Sequence, residues 1–164
     1  GTGTHATTQM ASYFVHKVTS EAQDKKFLDV GTGTGILALI AAKAGLKKIV
    51  GLEIDPEARR VAKENIKANQ CPWIEIPEKP LEEMRESFDI VMSNIIDGVL
   101  LQLKNDLLRV MSASGDLFLT GILKQNDQEF FEKFIDDSGL QVHRRLEKDE
   151  WVGYWLKPQR RTDT

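Results

Sequence analysis

Three glycines at alternate positions are the residues of this chain whose type and spacing most directly suggest chemistry. Gly31, Gly33 and Gly35 follow an apolar segment, 27–30, and precede an apolar helix start. A turn without side chains lets a ligand approach the backbone, and the N–H groups at the start of the next helix favour an anionic or electron-rich group. The sequence therefore predicts a ligand-binding turn between a strand and a helix.

One acidic residue, Glu53, lies at the distance from this turn that a nucleoside site requires. It follows Gly31 by 22 residues and stands at the end of the next predicted strand. At that place a carboxylate can accept hydrogen bonds from the two hydroxyl groups of a ribose. The glycine turn and Glu53 together predict a binding site for a nucleoside cofactor.

The spacing of the glycines distinguishes between the common nucleoside cofactors. Dinucleotide-binding proteins carry Gly-x-Gly-x-x-Gly, in which the third glycine lets helix and strand pack closely. Here the pattern is Gly-x-Gly-x-Gly, Ile36 stands where that third glycine belongs, and no Gly-Lys-Ser/Thr phosphate loop occurs. An apolar helix start can instead present N–H groups to the carboxylate of an amino-acid group. The sequence thus favours S-adenosylmethionine over NAD or FAD, with an ordinary ligand-free turn as the alternative.

The elements that must position these residues alternate along the chain. The hydrophobic pattern predicts helices at 7–20, 36–44, 56–69, 100–111 and 127–137, and strands at 27–30, 48–53, 73–76, 88–93, 116–119, 140–146 and 151–156. Such alternation implies right-handed crossovers and a mostly parallel, seven-stranded α/β sheet with helices on both faces. The last two strands form a hairpin that inserts one antiparallel strand.

The bulk properties exclude several classes of protein. The 164 residues, 41% hydrophobic and 29% charged, fit one globular domain. A net charge of -3 without a long basic run argues against direct nucleic-acid binding. Cys71 is the single cysteine, so we expect neither a disulfide framework nor a metal site. The longest apolar run, 36–42, is too short for a membrane span. Because no signal peptide is visible, we expect a cytoplasmic protein. The sequence does not give its oligomeric state.

Several segments resemble those of one methyltransferase family. Residues 29–35 resemble the first motif, and residues 51–58 the second motif, of class I S-adenosylmethionine-dependent methyltransferases. Four further segments are similar to those of the bacterial ribosomal protein L-eleven methyltransferases (PrmA-type): Gly-Thr-Gly-Thr-His-Ala-Thr-Thr at 1–8, Asn-Ile-Ile at 94–96, Gly-Ile-Leu at 121–123 and Glu-Trp-Val at 150–152. The resemblance runs from Gly1 to about Lys157.

The resemblance implies a fold, a cofactor and a substrate. We expect a Rossmann-like class I methyltransferase domain at 1–157, followed by a polar tail at 158–164. The methyl donor would be S-adenosylmethionine and the product S-adenosylhomocysteine. The acceptors would be lysine side chains, the N-terminal amine, or both, of the ribosomal protein. The family recognises that protein through an N-terminal domain, which we expect to be absent from this chain.

The resemblance also assigns site residues. The family holds the methyl donor through positions that match Thr8, Gly31, Glu53 and Asn94. The adjoining motif residues complete the predicted cofactor site: Asp29, Thr32, Gly33, Gly35 and Ile54. Glu53 replaces the more usual aspartate, which lengthens its reach by one methylene group, and Ala6 replaces a proline.

Asn94 also indicates the type of methyl acceptor. Methyltransferases that act on planar amide or adenine nitrogens typically follow this asparagine with two prolines and an aromatic ring, whereas here Ile95 and Ile96 follow it. An aliphatic amine, oriented by Asn94 and nearby carbonyl groups, is therefore favoured. His5 is a second candidate for proton transfer. The preferred interpretation is that His5 has a positioning role in the loop at the beginning of the chain.

Other interpretations stay open. The chain can act on a different protein amine or on a small molecule, or bind the cofactor without activity of its own. An oxidoreductase that binds a nicotinamide is disfavoured by the glycine spacing.

Overall fold

The computed structural model of the chain describes residues 5–20 and 24–159. The Gly-Thr-Gly-Thr segment at 1–4 and the end of the tail, 160–164, lie outside the described residues. The centre of the fold is a single sheet with the strands β1 (Lys26–Val30), β2 (Lys48–Leu52), β3 (Ile74–Glu75), β4 (Phe88–Asn94), β5 (Met111–Leu123), β6 (Leu140–Lys148) and β7 (Trp151–Pro158).

These seven strands lie in the order β3-β2-β1-β4-β5-β7-β6. Strand β7 runs antiparallel to both of its neighbours, and the remaining neighbouring pairs are parallel. The predicted seven-stranded, mostly parallel sheet with one inserted antiparallel strand is therefore confirmed.

In the described part of the chain, five helices surround the sheet: α1 (His5–Thr19), α2 (Ile36–Lys43), α3 (Pro56–Ala68), α4 (Asp97–Arg109) and α5 (Asp127–Phe130), which continues as a π-helical segment, Phe131–Ile135. Helix α3 begins where its sequence predicts. Asp55 caps the helix, since its carboxylate accepts a hydrogen bond from the N–H of Glu57 at 3.1 Å, and Pro56 fills the first helical position. Within the described residues, no helix has the length and apolar character needed to cross a membrane.

Helices pack on both faces of the sheet because neighbouring residues of each strand point in opposite directions. Phe27, Ile90 and Phe118 pack in one cluster with α1 and α2. Leu28 and Val91 pack in the other cluster with α4 and α5. The sheet is thus buried on both sides, as the apolar strand sequences predict.

The strand order places the candidate site residues at one edge of the sheet. Strand β1 lies between β2 and β4, so the chain leaves β1 in one direction and returns on the other side. Such a reversal opens a crevice at the carboxyl ends of the strands. Gly31 directly follows β1, Glu53 directly follows β2, and Asn94 is the last residue of β4.

Strand β5 differs most from the prediction, which limited it to 116–119. It extends from Met111 to Leu123 and contains two irregularities, one in its pairing with β4 and one in its pairing with β7. Gly115 and Gly121 lie within these irregularities. In a sequence, glycine indicates the end of a strand, but here each glycine allows a bulge and the strand continues beyond it.

Two helix predictions were wrong in detail. Helix α1 begins at His5 rather than at residue 7, so His5 is helical and exposed instead of part of a loop. Helix α4 begins at Asp97 rather than at residue 100, because only Ile95 and Ile96 separate it from β4.

The aromatic residues of the last helix lie on two different faces. Phe130 and Phe134 are buried and their rings stack with centroids 5.2 Å apart. Phe131 points outward and is 38% exposed. One residue along a helix rotates the side chain by about 100°, away from the core.

The two outer strands of the sheet are irregular or short. Strand β3 has two residues. Strand β6 has nine residues and pairs with β7 alone, with a register shift between Val142 and Arg144. Strand β7 reaches Pro158, two residues beyond the predicted strand and one residue into the predicted tail.

We predict that Phe118→Ala lowers the free energy of unfolding by about 3–5 kcal/mol. Phe118 is fully buried, and its ring lies 5.2 Å from that of Phe14 and 5.0 Å from that of Trp155. Equilibrium unfolding in urea measures the change. Phe131→Ala is the matched control and should change the value by less than about 1 kcal/mol. Equal losses in the two variants would contradict the assignment of the core.

Candidate functional site

The glycine turn after β1 is held against the end of β2 by backbone hydrogen bonds. The N–H groups of Gly31 and Thr32 both donate to the carbonyl oxygen of Leu52, at 2.9 and 2.8 Å. Gly31 has a φ of 78°, in the left-handed region, and a Cβ atom there would lie 2.6 Å from Cδ1 of Ile95. A side chain at position 31 would therefore strain the backbone and would push the end of the Ile95 side chain aside.

The carboxylate of Glu53 is fixed in orientation by the backbone around it. Its Oε1 atom accepts a hydrogen bond from the N–H of Gly33 at 2.9 Å, and its Oε2 atom accepts one from the N–H of Asp55 at 3.0 Å. Each carboxylate oxygen can accept a second hydrogen bond. The half-buried Glu53 thus keeps acceptor capacity for two further donors, such as the hydroxyl groups of a ribose.

Arg59 supports this arrangement from α3. Its guanidinium donates to the carbonyl oxygen of Glu53 at 2.9 Å and to the carboxylate of Glu78 at 2.9 Å. The same side chain therefore connects the end of β2 with the segment that follows β3.

Asp29 lies beneath the turn and is 1% exposed. Its Oδ2 atom accepts a hydrogen bond from the hydroxyl of Thr32 at 2.7 Å, whereas its buried Oδ1 atom has no hydrogen-bond partner among the described residues. Burial raises the pKa of Asp29 to about 7, and the charge of Glu53 adds to that increase while the Thr32 hydrogen bond opposes it. A buried carboxyl with a raised pKa and an unpaired oxygen is typical of a functional site rather than of a packed core.

Asn94 stands on the other side of the crevice. It is half-buried, and its Oδ1 atom accepts a hydrogen bond from the hydroxyl of Thr120 at 3.0 Å. The N–H of the next residue, Ile95, donates to the carbonyl oxygen of Thr120 at 3.1 Å. The end of β4 is therefore tied to β5.

A cleft of about 550 Å³ lies at the carboxyl ends of β1, β2 and β4, a volume typical of small-molecule sites. Four of the predicted residues line it: Gly31, Glu53, Ile54 and Asn94. The side chain of Ile54 is 84% exposed, which is unusual for an isoleucine and presents an apolar surface beside Glu53.

Sequence reasoning missed the opposite wall of the cleft. It consists of a segment before β4 and one face of α4, formed by Lys79, Pro80, Leu81, Glu82, Ile96, Val99, Gln102, Leu103 and Asp106. The residues 96, 99, 103 and 106 have helical spacing, and this signal could have identified the face of α4. The segment before β4 carries no recognisable motif. It is held in place by Arg109, which donates to the carbonyl oxygens of Leu81 at 3.0 Å and Met84 at 2.5 Å.

The remaining predicted residues lie behind or outside the cleft. Gly33 and Thr32 are buried within the turn, and Gly35 packs against α3, where an added Cβ would lie 3.5 Å from that of Ala62. Thr8 is half-buried in α1 and does not line the cleft, so its cofactor contact stays a prediction. Within 5–20 and 24–159, no three His, Cys, Asp or Glu side chains are grouped in a way that could hold a metal ion.

Comparison with known proteins identifies the family. A family model described as Ribosomal protein L11 methyltransferase (PrmA) matches residues 1–159. The chain belongs to this family. A Ribosomal protein L11 methyltransferase of Thermotoga maritima is 35% identical over 157 residues, which are 96% of this chain and 58% of that protein. One of Ruminiclostridium cellulolyticum is 35% identical over 161 residues, 96% of this chain and 50% of that protein. The chain thus spans about half the length of the curated relatives it matches.

Solved structures support the assignment of this chain to the L11 methyltransferase family. The crystal structure of ribosomal protein L11 methylase from Lactobacillus delbrueckii subsp. bulgaricus superposes with a TM-score of 0.88 at 25% identity, covering 96% of this chain and 81% of that one. A putative RNA methyltransferase from Pyrococcus horikoshii gives 0.76 at 21% identity, covering 91% of this chain and 80% of that one, and shows the shared fold alone. The predicted family and the Rossmann-like methyltransferase fold are confirmed.

The buried carboxyl of Asp29 predicts a specific dependence of stability on pH. Because its pKa is raised from 3.8 to about 7 in the folded protein, the folded state holds the proton more tightly than the unfolded chain. The stability that results from this tighter proton binding is fully present below about pH 4 and is lost as the pH rises through about 7. Asp29→Asn does not titrate, so the stability of the variant relative to the wild type should rise by about 3 kcal/mol between pH 5 and pH 8.

Urea unfolding at pH 5, 6, 7 and 8 measures this difference. The exposed Asp136 supplies the control, since Asp136→Asn should follow the wild-type pH profile. A constant difference between Asp29→Asn and the wild type over this range would show that Asp29 has no raised pKa.

Proposed function

We propose that the cleft binds S-adenosylmethionine and, after transfer, S-adenosylhomocysteine. The observation that carries this proposal is the fixed carboxylate of Glu53, held by Gly33 and Asp55 directly beside a turn whose left-handed conformation at Gly31 favours glycine. In this proposal Glu53 accepts hydrogen bonds from the ribose, and the backbone at Gly31 lies against the methionine part of the cofactor.

The apolar surfaces of the cleft support a place for the adenine. Ile54 projects from one side, and Leu81 and Val99 line the other. We propose that the flat base lies between them, since apolar side chains on both faces bury it without loss of hydrogen bonds.

We further propose that the protein transfers the methyl group to an aliphatic amine. The cofactor supplies an activated methyl group; the amine nitrogen forms a bond to that carbon while the carbon–sulfur bond breaks and its electron pair stays on sulfur. The protein has to align the nitrogen with that bond and exclude water. Asn94 stands at the cleft, and Ile95 and Ile96 offer no ring on which a planar acceptor could stack.

The amine must be neutral when it attacks. A free lysine side chain has a pKa of about 10.4 and an α-amine one of about 8, so a small neutral fraction exists at neutral pH. The proton can leave to water before the transfer, so the site needs no strong base.

The relatives suggest the acceptor. Because they are named ribosomal protein L11 methyltransferases, we propose that the complete protein methylates lysine side chains, the N-terminal amine, or both, of that ribosomal protein in the cytoplasm. The additional length of the relatives, about as long again as this chain, would supply recognition of the substrate. Another protein amine, a small molecule, or binding of the cofactor alone are the alternatives that the experiments below separate.

Binding of the cofactor tests the first proposal. We expect the chain to bind S-adenosylmethionine and S-adenosylhomocysteine but not NAD in titration calorimetry. Glu53→Ala should weaken the binding of both by about 10- to 100-fold, because charge-assisted hydrogen bonds to the ribose are lost. Glu57→Ala, an exposed acid on α3 outside the cleft, should leave the affinity within about 2-fold. Unchanged affinity in Glu53→Ala would remove Glu53 from the cofactor site.

Transfer to the ribosomal protein tests the second proposal. In the full-length protein, we expect mass spectrometry of the ribosomal protein to show added methyl groups on amines. Asn94→Ala should reduce the rate by about 10-fold or more, and by more than it weakens cofactor binding. Asn105→Ala, an exposed position on α4 away from the cleft, is the control. Methylation by Asn94→Ala at the wild-type rate would exclude the proposed role of Asn94.

A further inference from the structure

The segment from Asn94 to Asp97 is fastened to the end of β5 by three separate contacts. The first lies at Thr120, which is 1% exposed. Its hydroxyl donates to Oδ1 of Asn94 at 3.0 Å, and its carbonyl oxygen accepts the N–H of Ile95 at 3.1 Å. One residue of β5 therefore holds both the side chain and the backbone at the end of β4.

The second contact lies at Gly121, where the backbone of β5 meets that of Ile95. Gly121 has a φ of 96°, and a Cβ atom there would lie 2.6 Å from the carbonyl oxygen of Ile95. The third lies at Asp97, a buried residue whose Oδ2 atom accepts hydrogen bonds from the N–H of Leu123 at 3.2 Å and the side-chain amide of Asn126 at 3.0 Å. Together the three contacts leave little freedom for the backbone around Asn94.

The side chain of Asn94 still has a rotatable bond to its amide group, and rotation about such a bond is soft. The hydrogen bond from the Thr120 hydroxyl acts on this bond. It directs the Oδ1 atom of Asn94 towards β5 and thereby sets the direction of the Nδ2 atom.

We propose that Thr120 is a positioning residue for methyl transfer, which acts by holding the side-chain amide of Asn94 in one orientation. This inference rests on the proposed role of Asn94. In-line transfer tolerates little error in the direction of attack, so a group that orients the amine must itself be fixed. Thr120 does not line the cleft, and its hydroxyl donates to Asn94, which does.

The surroundings of Thr120 allow its hydroxyl to be tested without disturbing the packing. Its methyl group points to β7, where it lies 3.0 Å from the position that a Cβ of Gly153 would occupy. Thr120→Val keeps that methyl group and replaces only the hydroxyl. Thr120→Ser keeps the hydroxyl and removes only the methyl group.

The experiment measures methylation of the ribosomal protein by the full-length protein, together with the dissociation constant for S-adenosylmethionine. Thr120→Val should lower kcat by about 10-fold and leave the cofactor dissociation constant within about 2-fold. Thr120→Ser should restore kcat to within about 2-fold of the wild type. In an Asn94→Ala background, Thr120→Val should lower kcat by less than about 2-fold further, because both changes remove the same alignment.

Thr19→Val is the matched control, since Thr19 is also buried and its hydroxyl donates to the carbonyl oxygen of Val15 at 2.6 Å, within α1. It should show the wild-type kcat, and its melting temperature reports the stability lost with one buried hydroxyl. A wild-type kcat in Thr120→Val, or equal losses in the Thr120→Val and Thr120→Ser variants, overturns the inference while the proposed function stands. A wild-type kcat in Asn94→Ala overturns the inference together with the proposed role of Asn94, whereas the absence of methylation by the wild-type protein would overturn the proposed function itself.

Discussion

One backbone oxygen, the carbonyl of Leu52, accepts hydrogen bonds from two successive N–H groups, and the arrangement of the cleft depends on it. These bonds fold the residues after β1 across the end of β2. The fold across β2 brings the N–H of Gly33 to the carboxylate of Glu53. The pairing of Val30 with Leu52 places the two strand ends side by side, and the bonds to the Leu52 carbonyl then direct the turn towards the acid. Because both donors are backbone groups, this arrangement requires the left-handed conformation at Gly31 more than it requires any particular side chain.

The parts of this protein that could be predicted from sequence are those in which a residue acts on its near neighbours. The strand and turn around Gly31, the cap at Asp55 and the position of Asn94 after an apolar strand are of this kind. Contacts that join distant segments have no such pattern. Thr120 reaches Asn94 across 26 residues, and Arg109 reaches Leu81 across 28. The extent of β5 was missed for a related reason, because the glycines at 115 and 121 end a strand in most contexts and here permit bulges.

The acid beneath the turn shows that this edge of the sheet is not arranged for stability alone. Asp29 is buried with one oxygen unsatisfied, and its carboxyl holds a proton at a pH where a free aspartate is ionised. A leucine or asparagine there would remove the penalty of burial. Local conflicts of this type concentrate at functional sites, where selection acts on function as well as on stability. Arg59 and Arg109, which lie outside the turn, hold the surrounding segments rigid.

The irregular outer strands determine how the sheet can meet other molecules. An exposed strand edge of regular geometry is a template on which a second chain can add its own strand. Here one edge is a two-residue strand, too short to align a partner, and the other is interrupted by the shift between Val142 and Arg144. Continuous main-chain pairing with a second polypeptide is therefore unfavourable at both sides. A protein that binds this domain therefore has to be recognised through side chains. Exposed main-chain groups for a ligand lie instead at the carboxyl ends of the strands, in the cleft.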